Sequence, residues 1–181
     1  MDAGFLNSEF GQLEQVDPHF SALLYAGDRF EARARLEEAL AAGKTILADR
    51  YIASNLAHQT ARMAPKRRDN FLTWLKHLEY TVFGLPVEDL VIYLRVAAVE
   101  AQRLVGQKTA RDYTRQKRDL QEADLRHLEE AAAVYDQLAR LPNWATVECW
   151  DASKSAMRTP EAIHRDVLAA VSSEKVAGLS S

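Results

Sequence analysis

Three short apolar runs, each set between helical patterns, constrain the fold of this chain more than any other feature. They are "KTILAD" (44–49), "DLVIYLRV" (89–96) and "WATVECWDA" (144–152). Their apolar residues are continuous rather than alternating, the pattern of strands covered on both faces. Helical stretches separate them. "DRFEARARLEEALAAG" (28–43) repeats Phe30, Ala34, Leu36 and Leu40 at helical spacing, with Asp28 as candidate cap and Gly43 at the C′ position. Residues 54–63 and "FLTWLKHLEYTVFG" (71–84) predict two more helices, with the basic turn "APKRRDN" between them. A charged helical region follows over 98–140, interrupted around 106–118. "TPEAIHRDVLAAV" (159–171) predicts the last helix, with Thr159 as cap and Pro160 at the first helical position. Strands alternating with helices predict parallel βαβ units and an α/β fold.

The C-terminal ends of the three runs carry Asp49-Arg50, Arg95 and Asp151. In open α/β sheets the ligand crevice lies along that edge. The chain has 181 residues, 48% of them apolar and 27% charged, enough for one domain with a core. The formal net charge of −3 supplies no global basic field, so nucleic acid is not an expected partner. The longest stretch without a formal charge, 51–61, is too short to span a bilayer, so no membrane partner is expected. The one cysteine, Cys149, cannot form an internal disulfide, which fits a reducing, cytoplasmic setting; in "ATVECW" it reads as core filling. The stretch 172–181 reads as a flexible tail.

Gly43-Lys44-Thr45 matches the end of a phosphate loop, G-x-x-x-x-G-K-[ST]. The context is wrong. Such a loop follows a strand and opens a helix, whose free amides meet the phosphates. Here a helix precedes Gly43, a strand is predicted after Thr45, and the first glycine position holds Glu38. "DRYIASNLAHQ" (49–59) is more informative. An aspartate at a strand tip can hold a Mg²⁺-bound water, and a neighbouring arginine can fork onto a phosphate. Ser54 and His58, four apart, share one helix face. A plain Asp49–Arg50 salt bridge with Ser54 as a cap explains the same residues equally well.

At these residues the chain resembles the thymidylate kinase family of P-loop nucleoside monophosphate kinases. Four collinear pieces carry the resemblance. "LLYAGDR" (23–29) is similar to the family's L-L-F-x-A-x-R. "GKTILADRYIASNLAHQ" (43–59) is similar to its strand and D-R-Y-x-x-S-x-x-A-x-Q signature. "GLPVEDLVIYLRV" (84–96) is similar to G-L-x-P-D-L-x-I-Y-L-D-V. "RQKRDLQEADLRHLEEAAAVYDQLA" (115–139) is similar to its lid and the helix ending in Y-x-x-L. The resemblance implies a three-layer P-loop kinase-like parallel sheet with helices on both faces, spanning 1–171. It implies transfer of the ATP γ-phosphoryl group to dTMP with Mg²⁺, and a homodimer. Tyr25 is expected to stack on thymine and Arg29 to bond the base. Arg50 would grip the dTMP phosphate, Asp49 would lie near Mg²⁺, and Ser54, His58 and Gln59 would line the sugar and base. Between 103 and 118 lie Arg103, Lys108, Arg111, Arg115, Lys117 and Arg118 with one acid, Asp112. The resemblance makes this the lid, with Arg111, Arg115 and Arg118 as candidates to neutralise the transferring phosphoryl group.

Two departures stand out. Arg95 occupies a position where the family usually has Asp. The family also begins with a strand, phosphate loop, helix and second strand, a βαβ unit of roughly 30 or more residues. Only 22 residues precede Leu23 here. The expectation is therefore a chain without its N-terminal βαβ unit and phosphate loop, impaired as a kinase. The alternatives are a non-catalytic dTMP-binding or dimerising module, and a kinase for another monophosphate.

Overall fold

The computed structural model describes residues 16–107 and 125–178. Its first helix, α1, runs Pro18–Ala41, ten residues earlier than the sequence pattern suggests. Asp17-Pro18 is the reason. The Asp17 carboxylate accepts from the His19 amide at 2.7 Å, and Pro18 takes a first-turn position that needs no amide donor. Asp28, expected as the cap, lies mid-helix. The predicted end holds. Gly43 has φ 71°, the Lys44 amide donates to the Ala39 carbonyl at 3.0 Å, and the Gly43 amide donates to Leu40 at 2.9 Å. That pair of bonds is a Schellman cap, so Gly43-Lys44 ends a helix here.

The expected strand over 44–49 does not form. Residues 44–48 pair with no strand among the described residues, and Leu47 is 93% exposed. A strand exists only through ladder bonds to a neighbour, and apolar content cannot substitute for them. Helix α2, Ile52–Ala61, follows at once. All its residues except Ala53, Ser54 and His58 are buried. A short 3₁₀ turn, Pro65–Arg67, leads into α3, Arg68–Lys76, which continues as a π-helical turn over His77–Val82. Gly84 closes it with φ 58°, and a Cβ there would meet the Arg33 guanidinium at 2.9 Å. That guanidinium in turn donates to the Phe83 carbonyl at 2.9 Å, tying α1 to the turn.

Strand β1, Val91–Arg95, precedes α4, Ala98–Gln107; α5 is Leu125–Leu138; β2 is Trp144–Glu148. β1 and β2 pair in parallel, Val91 opposite Trp144 and Arg95 opposite Glu148, as the alternation predicts. "WATVECWDA" yields more than one strand. Beyond β2, Trp150–Asp151 (β3) pairs antiparallel with Ala156–Met157 (β4) around a turn. The Asp151 carboxylate shapes that turn by accepting from the Ser153 hydroxyl and amide. Helix α6, Pro160–Gly178, packs on β2 and runs past the expected end at 171, so 172–178 is helical. Thr159 caps it, accepting from the Ala162 amide at 3.3 Å. The architecture is thus mixed α/β around a parallel pair.

The core centres on α2. Ile52, Leu56, Ala57 and Ala61 pack with Ala22 of α1, Phe71, Leu72 and Leu75 of α3, Leu85, and Ala131, Val134 and Leu138 of α5. Each fully buried leucine or isoleucine there contributes roughly 1.5–3 kcal/mol. Cys149 is buried beside β2, as a core-filling cysteine should be.

Candidate functional site

The site is built where residues 44–50 turn into α2. Arg50 has φ 67°, a left-handed conformation costly for any residue with a Cβ. The turn brings its Nε to the Ser54 Oγ, on which it donates at 3.0 Å. Ser54 Oγ also lies 3.1 Å from the Tyr135 hydroxyl of α5. Tyr135 stacks on Tyr93 of β1, ring centroids 5.0 Å apart. Burial raises the phenol's pKa, so its proton stays available to the network. Arg50, Ser54 and Tyr135 therefore form one polar chain from the exposed 44–50 segment to β1.

His58, one turn beyond Ser54, faces the same way. Its Nδ1 lies 3.1 Å from His127 Nε2, the rings stack at 5.3 Å, and Tyr135 meets His58 edge-on. Burial, with Arg50 and His127 beside it, pushes the His58 imidazole down to about 3, so it is neutral at ordinary pH. Ala53, Ser54 and His58 are the open positions of an otherwise enclosed helix, and Ser54 and His58 share a face.

The other expected base contacts lie across α2. Arg29 of α1 is engaged by Glu79, donating from Nε at 3.0 Å and from Nη2 to the second oxygen. Glu79, 0% exposed within the π turn, also accepts from Asn55 Nδ2 at 2.7 Å. Asn55 Nδ2 further donates to the Ala22 carbonyl, while Asn55 Oδ1 is buried with no partner among the described residues. A buried amide oxygen without a donor costs about 1–3 kcal/mol unless something supplies one. Tyr25 is half-buried on α1, one turn before Arg29. Gln59 is enclosed; its Oε1 accepts from Arg62 Nη1 at 2.8 Å, and the same nitrogen donates to Ser21. In the structure Gln59 serves the α1–α2 junction.

Asp49 is exposed beside Arg50. Among the described residues no cluster of three or more potential ligands could cage a metal. A single carboxylate suits Mg²⁺, which commonly keeps several waters and takes its other ligands from phosphates. Arg111, Arg115 and Arg118 lie outside the described residues. Arg103, at the start of the expected lid, pairs with Glu100 on α4. Arg68 opens α3 and donates to the Met63 and Ala61 carbonyls and to Glu130, fastening the end of α2 to α5. Arg95 sits at the tip of β1, both arms on Asp136 of α5 and a third bond to Glu148 of β2. The carboxylates beside it balance its charge.

Sequence reasoning missed Asn55, Glu79 and His127. Asn55 stands inside "DRYIASNLAHQ" and was legible as a polar residue on a buried helix. Glu79 and His127 gain their meaning from partners distant in sequence.

Among the described residues no helix is long and apolar enough to cross a membrane. The family model for thymidylate kinase matches residues 6–161. Thymidylate kinases of two Mycobacterium tuberculosis strains, CDC 1551 / Oshkosh and ATCC 25618 / H37Rv, are each 31% identical over 134 residues, 74% of this chain. The match spans 62% of the length of those relatives. The matched span contains the Arg50–Ser54–Tyr135 chain and the buried Asn55, and on that footing the protein belongs to the thymidylate kinase family.

Proposed function

We propose that this chain carries the dTMP-binding part of a nucleotide kinase that transfers the γ-phosphoryl group of ATP to dTMP. One observation carries the reading: Arg50, held in a left-handed turn and docked on Ser54, stands at the start of the helix that bears the unpartnered Asn55 Oδ1. A guanidinium offers charge-assisted bonds to a phosphate, and a buried amide oxygen offers an acceptor to a base N–H. Tyr25 supplies a ring face for the base, and Ser54 and His58 line the sugar. Arg29 would position Asn55 through Glu79 while bordering the base. Gln59 would act on the pocket through Arg62. Asp49 would hold Mg²⁺, through water, and the ion would neutralise phosphate charge. Arg111, Arg115 and Arg118 of a lid over 103–118 would close on the transferring group. Catalysis of this kind is positioning plus charge neutralisation.

The sequence contains no G-x-x-x-x-G-K-[ST]. We therefore propose that these 181 residues alone bind dTMP and transfer phosphoryl groups poorly. The same absence favours a second reading, a non-catalytic dTMP-binding module. A homodimer would use the apolar side of α1 and the π turn, where Phe30 and Val82 are exposed and Phe30 meets Phe83 at 5.0 Å. A cytoplasmic setting fits the single reduced cysteine.

Calorimetry with dTMP and with ATP, beside a dTDP-formation assay, tests this. Binding of dTMP with weak or absent ATP binding is expected. Binding of neither removes the nucleotide reading, and rapid dTDP formation removes the claim of impairment.

A further inference from the structure

Ser54 Oγ is held from two sides. Arg50 Nε donates to it at 3.0 Å, and the Tyr135 hydroxyl lies 3.1 Å away. A serine hydroxyl has one proton to give and two lone pairs. One lone pair takes the Arg50 bond. The bond to Tyr135 then forms in either direction, Ser54 giving its own proton or accepting the phenol's, so the arrangement is satisfied both ways. The two partners differ in rigidity. Arg50 is exposed, in the left-handed turn ahead of α2. Tyr135 is fixed by its ring. It lies on Tyr93 of β1 at 5.0 Å and 14°, meets His58 edge-on at 5.9 Å, and is tilted against Trp144 of β2 at 6.4 Å. The parallel strand pair therefore places its hydroxyl.

We infer that Tyr135 is a positioning residue: its hydroxyl, fixed on the sheet, sets Ser54 Oγ and through it the Arg50 guanidinium that takes a phosphate. The inference rests on the phosphate role proposed for Arg50. Ser54 stands in the first turn of α2, its amide bonded to the Tyr51 carbonyl at 3.1 Å. A serine there has other choices. Its hydroxyl can rotate among three staggered positions and can turn back onto a carbonyl of the preceding turn. The Tyr135 hydroxyl favours the position in which Oγ also meets Arg50. A bond at Nε fixes the plane of the guanidinium, and a planar fork recognises phosphate oxygens only when its plane is aimed at them. Tyr135 thus acts through Ser54 and not on the ligand.

Tyr135→Phe removes the hydroxyl and keeps the ring contacts. Calorimetry of the full chain with dTMP, and with thymidine, which lacks the phosphate, reads the consequence. Affinity for dTMP should fall about 3–10-fold, the range of one net hydrogen bond, while affinity for thymidine stays within about two-fold. In an Arg50→Ala background the same substitution should change dTMP affinity by less than about two-fold, because the guanidinium it positions is gone. A merely structural tyrosine would weaken dTMP and thymidine alike, with or without Arg50. That result overturns the inference, as does Tyr135→Phe with unchanged dTMP affinity. Hydrogen exchange of the Arg50 Nε–H, followed by NMR without ligand, gives an independent reading. The bonded proton should exchange at least about 3-fold faster in Tyr135→Phe, and an unchanged rate overturns the inference. If exchange quickens while dTMP fails to bind the wild type, the hold of Tyr135 on Arg50 is supported and the nucleotide reading is what falls.

Discussion

Residues 44–48 and residues 52–61 stand a few positions apart and are each at least half apolar, yet they end in opposite environments. Ile46 and Leu47 face solvent, while Ile52, Leu56 and Ala57 sit in the middle of the core. Hydrophobicity does not separate them. The helix satisfies its own backbone and needs only side-chain neighbours, which α1, α3 and α5 provide. A strand over residues 44–48 would need another backbone beside it, and the described residues offer none. Arg50 stands at the boundary, one flank open and the other anchored on α2, where a binding residue gains both access and rigidity.

The largest effect should come from breaking the enclosed side at its charged centre. Glu79→Ala leaves the Arg29 guanidinium and Asn55 without their acceptor inside the protein. Removing one partner of a buried pair costs about 3–5 kcal/mol. Urea unfolding should show that loss, and a change below about 1 kcal/mol would mean the pair is solvated. A matched pair of truncations sharpens the contrast. Leu56→Ala should cost roughly 2–5 kcal/mol through lost contacts and a cavity. Leu47→Ala should change stability by less than about 0.5 kcal/mol. Similar losses at both sites would show that residues 44–48 are covered in solution.

The enclosed side was also the more legible one. The helical periodicity of α2, α3 and α5 and the parallel pairing of β1 with β2 follow from apolar spacing, which local sequence records. The start of α1 was recorded too, in Asp17-Pro18, but a pattern anchored on Asp28 overlooks it. The strand over 44–49 was misread because a strand's existence depends on its neighbour, a non-local fact. β3 and β4, two residues each, are too short for any period. At the site, Arg50, Ser54 and His58 were readable from motif and spacing. Glu79 was not: an acid on the helix "FLTWLKHLEYTVFG" reads as a solvent-facing residue until Arg29 and Asn55 are brought to it.

Arg50→Ala probes the boundary itself. Folding stability should barely change, because Arg50 is exposed and its Ser54 bond is a surface contact. Affinity for dTMP should fall about 10–100-fold, the worth of charge-assisted bonds to a phosphate. Calorimetry reads the affinity and urea unfolding the stability. A large stability loss would turn Arg50 into a structural residue, and unchanged affinity would remove it from the phosphate role.

The smallest effect concerns the tip of β1, where the open and enclosed sides meet again. Hydrogen bonds from Arg95 hold the Asp136 carboxyl below its usual range. A carboxylate with a depressed folded pKa adds stability above its unfolded value, near 4, and loses it as pH falls through the folded one. Both side chains are well exposed, so solvent screening limits the pair to about 0.5 kcal/mol. Asp136→Asn should therefore leave stability at pH 7 nearly unchanged and slightly flatten its decline below pH 4. Because α5 also carries His127 and Tyr135, an Asp136→Asn variant that shifts dTMP affinity as well would show that the tip of β1 and the open stripe of α2 are mechanically joined through that helix. Unaltered affinity would confine Arg95 to tying β1, β2 and α5 together.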